Sequence, residues 1–182
     1  KAFGRDIQVL HTGENISNYL SGIISLKDHD YSGSFKYLKK IQLLEKHHSK
    51  YNAEFLSTLV ILGKFDRAFA FLGRTSHEDE FFFEGDLLLG LNFFKNKDYK
   101  NAEKYFKKLN RISRYNLYFD DFIGNILIAW SKASQDKKEK SFNILEKIPK
   151  PYRHLKKTQK GFLKCYFDMK DTQVFFENLI DN

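Results

Sequence analysis

Gly90-Leu91-Asn92-Phe93-Phe94-Lys95-Asn96-Lys97-Asp98-Tyr99-Lys100-Asn101-Ala102-Glu103-Lys104-Tyr105-Phe106-Lys107-Lys108-Leu109 is the stretch on which the fold turns. Its second half places Tyr99, Ala102, Phe106 and Leu109 at i, i+3, i+7 and i+10. That spacing makes one apolar face of an α-helix. Lys100, Glu103, Lys104, Lys107 and Lys108 mostly fall on the opposite face, where solvent is expected. The polar break Lys97-Asp98 separates this helix from an apolar one that begins near Phe83. The unit is therefore a helix–turn–helix.

The same layout recurs along the chain. Gly22, Ser25, Asp30, Tyr31, Ser34, Leu38 and Ile41 align with Gly90, Phe93, Asp98, Tyr99, Ala102, Phe106 and Leu109 at an offset of 68 residues, twice 34. A middle copy falls at Leu56, Leu59, Phe65, Ala68 and Leu72, with the turn Gly63-Lys64-Phe65-Asp66. Later copies fall at Ala129, Ser141, Leu145 and Ile148, and at Leu163, Tyr166, Phe175 and Leu179. Between the third and fourth copies the step is 39, which places about five extra residues near 114–121. Ser34, Ala68, Ala102 and Ser141 are small at one repeat position, which lets two helices approach closely. Strand-like alternation and Asn-Gly or Asp-Gly hairpin signals are absent, so the chain reads as all-α.

The period of 34, the order Gly–aromatic–turn–aromatic–Ala–aromatic and the hairpin unit resemble the tetratricopeptide repeat (TPR) family. The resemblance covers residues 15–182 as five units near 15–48, 49–82, 83–121, 122–155 and 156–182, with 1–14 outside the pattern. It implies a right-handed α-solenoid of about five stacked hairpins, read as one segment over 1–182. Where the family carries a first-helix tryptophan this chain has Asn18, Asn52, Asp86, Asn125 and Gln159. The family's proline after the second helix is missing from the first three units. No polar capping helix closes the array, so the sequence reads as a window on a longer protein. A composition rich in Lys, Asn and Phe and poor in Pro and Arg fits AT-rich, bacterial coding.

The chain has 182 residues, 42% of them hydrophobic, enough to bury a core without staples. One cysteine, Cys165, rules out an internal disulfide framework or a multi-Cys zinc site. No apolar run reaches the roughly 18 residues of a membrane span. No signal peptide is visible in this segment, and both cytoplasmic and periplasmic compartments stay open. The net charge of +8 is local: residues 132–170 hold twelve basic residues and four acidic ones. Only six of the 31 cations are arginine, the residue suited to bidentate phosphate recognition. A solvated lysine face is the simpler reading.

Motifs for chemistry are missing. The six histidines, among them the adjacent His47-His48, include no i, i+4 pair and no HExxH. Asp120-Asp121 and Glu78-Asp79-Glu80 read as helix N-terminal acids rather than catalytic pairs. Cys165, among Phe162, Tyr166 and Phe167, reads as a partly buried thiol. No catalytic residue, cofactor or metal ligand is expected.

The TPR resemblance implies a working surface on the first helices. Its groove positions map to Tyr19, Ile23, Leu87, Leu91, Phe94, Ile126, Trp130, Lys160 and Lys164. This lining is apolar through four units and cationic in the fifth, unlike the Lys- and Asn-lined clamps that grip acidic chaperone tails. Either it binds an apolar segment of a protein partner, or its side chains are buried against each other or a flanking element. The expected function is a non-enzymatic interaction scaffold. The alternatives are a nucleic-acid or anionic-surface binder through 132–170, which the lack of a regular polar code disfavours, and the docking arm of a larger enzyme or assembly.

Overall fold

The computed structural model describes residues 12–75, 82–110 and 122–180. The acids Glu78-Asp79-Glu80 and Asp120-Asp121, the extra residues near 114–121 and the segment 1–11 lie outside the described residues. Among the described residues every regular element is helical, and the chain is all-α as the periodicity requires. The α-helices are α1 (Gly13–Lys27), α2 (Tyr31–Leu38), α3 (Ser49–Ile61), α4 (Phe65–Thr75) and α5 (Phe83–Lys95), then α6 (Tyr99–Leu109), α7 (Phe122–Ala133), α8 (Lys138–Glu146), α9 (Arg153–Tyr166) and α10 (Thr172–Ile180). Short 3₁₀ segments follow α2 (Lys39–Lys46) and precede α9 (Lys150–Tyr152).

The two helices of each hairpin close on one device. His29, Gly63, Lys97, Asp136 and Asp168 stand at φ of 62°, 65°, 61°, 56° and 47°, in the left-handed region. They recur at steps of 34, 34, 39 and 32 residues. The residue after each returns its N–H five positions back: Asp30 to the Ser25 carbonyl, Lys64 to Leu59, Asp98 to Phe93, Lys137 to Lys132 and Met169 to Lys164, at 2.8–3.0 Å. This satisfies carbonyls that the end of a helix leaves orphaned. Asp30 and Asp98 then cap the next helix, accepting from the Gly33 and Asn101 N–H groups at 2.9 and 3.2 Å. In the fifth hairpin the turn comes two residues early relative to a 34-residue step.

Close helix approach explains the repeat's small positions. A Cβ on Gly90 would sit 2.5 Å from the Phe106 ring, so only glycine lets α5 back onto that side chain. Ser34, Ala68, Ala102 and Ser141 are all fully buried.

The chain divides into two compact units, residues 1–85 and 86–182. In the first, Leu38, Ile41, Tyr51, Phe55, Leu56, Leu59, Phe71 and Leu72 form the buried core. The second helix of its first hairpin does not run through to Ile41. It ends at Leu38, and Ile41 breaks the helical geometry at φ −114°, ψ 33°. The buried Tyr51 hydroxyl donates to the Leu38 carbonyl at 3.1 Å, which satisfies the end of α2. Burial, foremost, and the Glu45 charge push that phenol's pKa well above its usual value.

In the second unit two side chains assigned above to a solvated face are buried. Lys108 is 8% exposed and pairs with Asp86 at 3.3 Å. Glu103 is 9% exposed and takes four hydrogen bonds from three donors: Ser131 Oγ (3.2 Å), Gln135 Nε2 (2.9 Å) and, with both carboxylate oxygens, Lys132 Nζ (2.8 and 2.6 Å). The reason is geometric. α6 packs on α5 through Phe106 and on α7 through Glu103, so its buried surface exceeds its apolar stripe. Desolvation pushes the Glu103 carboxyl up, but hydrogen bonds from Lys132, Gln135 and Ser131 and the Lys132 charge bring it below the ordinary 4.5.

Two outcomes follow for stability. Gly63 has no atom within 4 Å of where a Cβ would stand, so Gly63→Ala tests backbone strain alone and should cost ~1–2 kcal/mol in urea unfolding. Lys97→Gly should stabilise by about 0.5 kcal/mol, the relieved strain less the added chain entropy of glycine. Because folded Glu103 titrates below its unfolded value, the unfolded chain takes that proton first as pH falls. The stabilisation is complete above the ordinary carboxylate pKa and is lost as pH drops through the folded value. Glu103→Gln should cost about 2 kcal/mol near neutral pH, with the deficit shrinking in acid, as followed by helical circular dichroism.

Candidate functional site

In the second unit the first helices of the hairpins, α5, α7 and α9, carry the expected surface residues. Leu87 is half-buried and Leu91 is 42% exposed. Phe94 is committed to its own hairpin, with ring centroids 5.7 Å from Tyr99 and 6.5 Å from Phe106. Ile126 and Trp130 pack partly against the buried cluster of Ala129, Ala133, Leu145, Ile148 and Leu163. Trp130 also reaches across to α9. Its indole N–H donates to Gln159 Oε1 at 2.8 Å, and Tyr166 meets it edge-on at 5.7 Å. Beside these, Leu155, Phe162 and Tyr166 of α9 are 43%, 47% and 50% exposed. Cys165 is exposed, not partly buried as its aromatic neighbours suggested, because Phe162 and Tyr166 are themselves turned outward.

Lys160 and Lys164 lie in a different setting. Lys160 pairs closely with Glu146 of α8, which Lys156 also approaches at 3.5 Å. Lys164 donates to Asp171 at 2.5 Å. The hydrogen bond from Lys160 holds Glu146 below the usual carboxylate range, and that from Lys164 does the same for Asp171. Both lysines line a cavity of about 440 Å³ with Phe142, Met169 and Phe175, whereas Trp130 is met by Gln159 and Tyr166. The structure thus gathers Trp130 with α9 aromatics the sequence reading had not singled out, and gives the two lysines carboxylates of their own.

In the first unit Tyr19 lies against His48, ring centroids 5.0 Å apart, and Ile23 is half-buried. His48 caps α3, its Nδ1 accepting from the Tyr51 N–H at 3.0 Å. Burial, foremost, and the Glu54 charge raise the Tyr19 phenol's pKa. On α1, Ile16, Leu20 and Ile24 form an exposed stripe at i, i+4 and i+8.

Three of the polar residues standing where the TPR tryptophan would be take on a shared task. Asn52 donates to the Glu45 carbonyl at 2.8 Å, Asn125 accepts from Asn110 at 3.2 Å, and Gln159 accepts from Trp130. Each joins its helix to the preceding segment. The signal was present in the sequence as an amide or acid at one repeat position five times over. Chemically, this face can bury apolar surface and offer single hydrogen bonds. Among the described residues no cluster of three or more His, Cys, Asp or Glu could hold a metal, and no helix is long and apolar enough to cross a membrane.

No family model matches the sequence, and no curated protein matches it at a significant level. The fold, however, matches solved structures closely. MamA from Desulfovibrio magneticus RS-1, from residue 41 to its end, superposes with a TM-score of 0.70 over 93% of this chain and 95% of that one, at 16% identity. A double mutant of MamA RS-1 gives 0.69 over 93% and 94%, at 15% identity. The chain therefore has the TPR-like, all-helical fold found in MamA.

Proposed function

We propose that this chain is a non-enzymatic scaffold that captures an apolar segment of a protein partner on the first-helix face of its second unit. The Trp130 arrangement carries the reading. Its ring is fixed by Gln159 and Tyr166, so little side-chain entropy is lost when a ligand covers it. The neighbouring Phe162 and Tyr166 are about half exposed, which supplies apolar area to bury. Aromatic side chains of this kind dominate interface energetics. The TPR-like fold supports a surface rather than a reaction centre, since it presents helix faces in series. The reading extends to Leu87, Leu91 and Ile126 as flanking contacts. It leaves Lys160 and Lys164 to the ion pairs with Glu146 and Asp171.

Nucleic-acid binding through 132–170 is weakened by those same pairs. Lys132, Lys156, Lys160 and Lys164 each face a carboxylate, so fewer free cations are available to replace counterions.

Trp130 is the chain's single tryptophan, so its emission reports on this face alone. Peptides selected by display against the chain should be apolar or aromatic and should shift Trp130 emission to the blue. The double variant Phe162→Ser, Tyr166→Ser should weaken them about tenfold or more while leaving the helical signal intact. Selected peptides that leave the emission unmoved and bind the double variant as well as the parent would sink the proposal.

A further inference from the structure

A second site lies in the first unit, between α2 with its 3₁₀ extension, α3 and α4. Its floor is aromatic. Phe35 stacks on Phe55 at 6.2 Å with ring planes 7° apart, and Phe55 meets Phe71 edge-on at 5.2 Å. These rings border a pocket of about 280 Å³, rimmed by Lys39, Arg67 and Arg74. The break at Ile41 ends α2 early, and the 3₁₀ segment that follows supplies the Lys39 side of the rim.

The rim has an unusual charge pattern. Lys39 Nζ, Lys64 Nζ and Arg67 Cζ stand 5.4, 5.3 and 5.4 Å from the centroid of the one Phe35 ring. No two can be farther apart than twice that distance, which is close to the Debye length of ~10 Å at 0.1 M salt. Three cations therefore repel one another over one ring. Cation–π attraction of about 0.5–1 kcal/mol per exposed contact holds each cation at the ring. Among the described residues no carboxylate pairs with any of the three. Arg74 at the same rim shows what satisfies such a cation: Glu45 takes its guanidinium through two hydrogen bonds, at 3.0 and 2.9 Å.

We propose that this pocket binds an acidic peptide segment, with one apolar side chain entering beside the edge of Phe35 and flanking carboxylates pairing with Lys39, Lys64 and Arg67. The volume suits one side chain rather than a drug-sized ligand. Stacking of a nucleobase is disfavoured, since Phe35 is already stacked on Phe55 and ringed by cations. The site is formed by second helices as well as α3, in the other compact unit from Trp130, and does not depend on the function proposed above.

Fluorescence anisotropy with a labelled peptide carrying one phenylalanine among glutamates tests it. The parent chain should bind that peptide, and bind poorly both its glutamine counterpart and a version with serine for phenylalanine. Lys39→Gln with Arg67→Gln should weaken binding about tenfold and flatten its salt dependence, because two charge-assisted contacts are lost. Both side chains are exposed, so the fold should survive. The Phe162→Ser, Tyr166→Ser variant should bind the acidic peptide unchanged, which separates this site from the first-helix face. The proposal is overturned if the parent fails to bind, if the serine peptide binds equally, if inorganic phosphate displaces the peptide at equal concentration, or if the Lys39/Arg67 variant binds as the parent does.

Discussion

One residue at positive φ, followed by an N–H that reaches back five positions, reverses the chain in every hairpin described. Packing depends on this constraint. The turn fixes where each second helix starts, and so which side chains face its partner. With the start set at Tyr99, Phe106 comes to lie under Gly90, and with it set at Tyr31, Leu38 comes under Gly22. A one-residue slip would rotate the second helix by about 100° and replace its apolar stripe with lysines. Only Gly63 meets the turn's conformational demand without strain. His29, Lys97, Asp136 and Asp168 hold it because the packing on both sides over-determines the geometry.

The hairpin layout was legible because it repeats. Tyr99, Ala102, Phe106 and Leu109 announce one helix face, and the offsets of 34 and 68 announce the unit. What periodicity could not show is a helix touched on two sides. Glu103 and Lys108 look solvated by spacing, yet α7 and Asp86 reach them. Hydropathy assigns a charged residue to water, and only the tertiary neighbour supplies the compensating charge. Lys160 and Lys164 differ from the apolar surface residues for the same reason, since Glu146 and Asp171 lie far enough along the chain to be invisible to a local reading. Tyr166 and Gln159 escaped notice around Trp130 because the contact spans two hairpins. The early end of α2 left no trace in composition; it follows from the geometry at Ile41.

Charge along the sequence and charge in space diverge here. The stretch 132–170 holds the whole formal excess, but several of its lysines sit on carboxylates. The rest of the chain is balanced in sum, yet it places Lys39, Lys64 and Arg67 around one phenyl ring. Local potential is set by which acids come within reach, and folding decides that. Surface function is therefore better sought where like charges remain together after folding than where the sequence accumulates them.

The cluster of four hydrogen bonds on Glu103 has a mechanical meaning. It bridges two successive hairpins in the interior of the second unit. In a linear array each junction acts as its own link, and links of unequal strength do not yield together. Fraying that starts at α10 meets a firm rivet once it arrives at α7. The polypeptide on the near side of that rivet can loosen and reform while the α6–α7 seam stays shut.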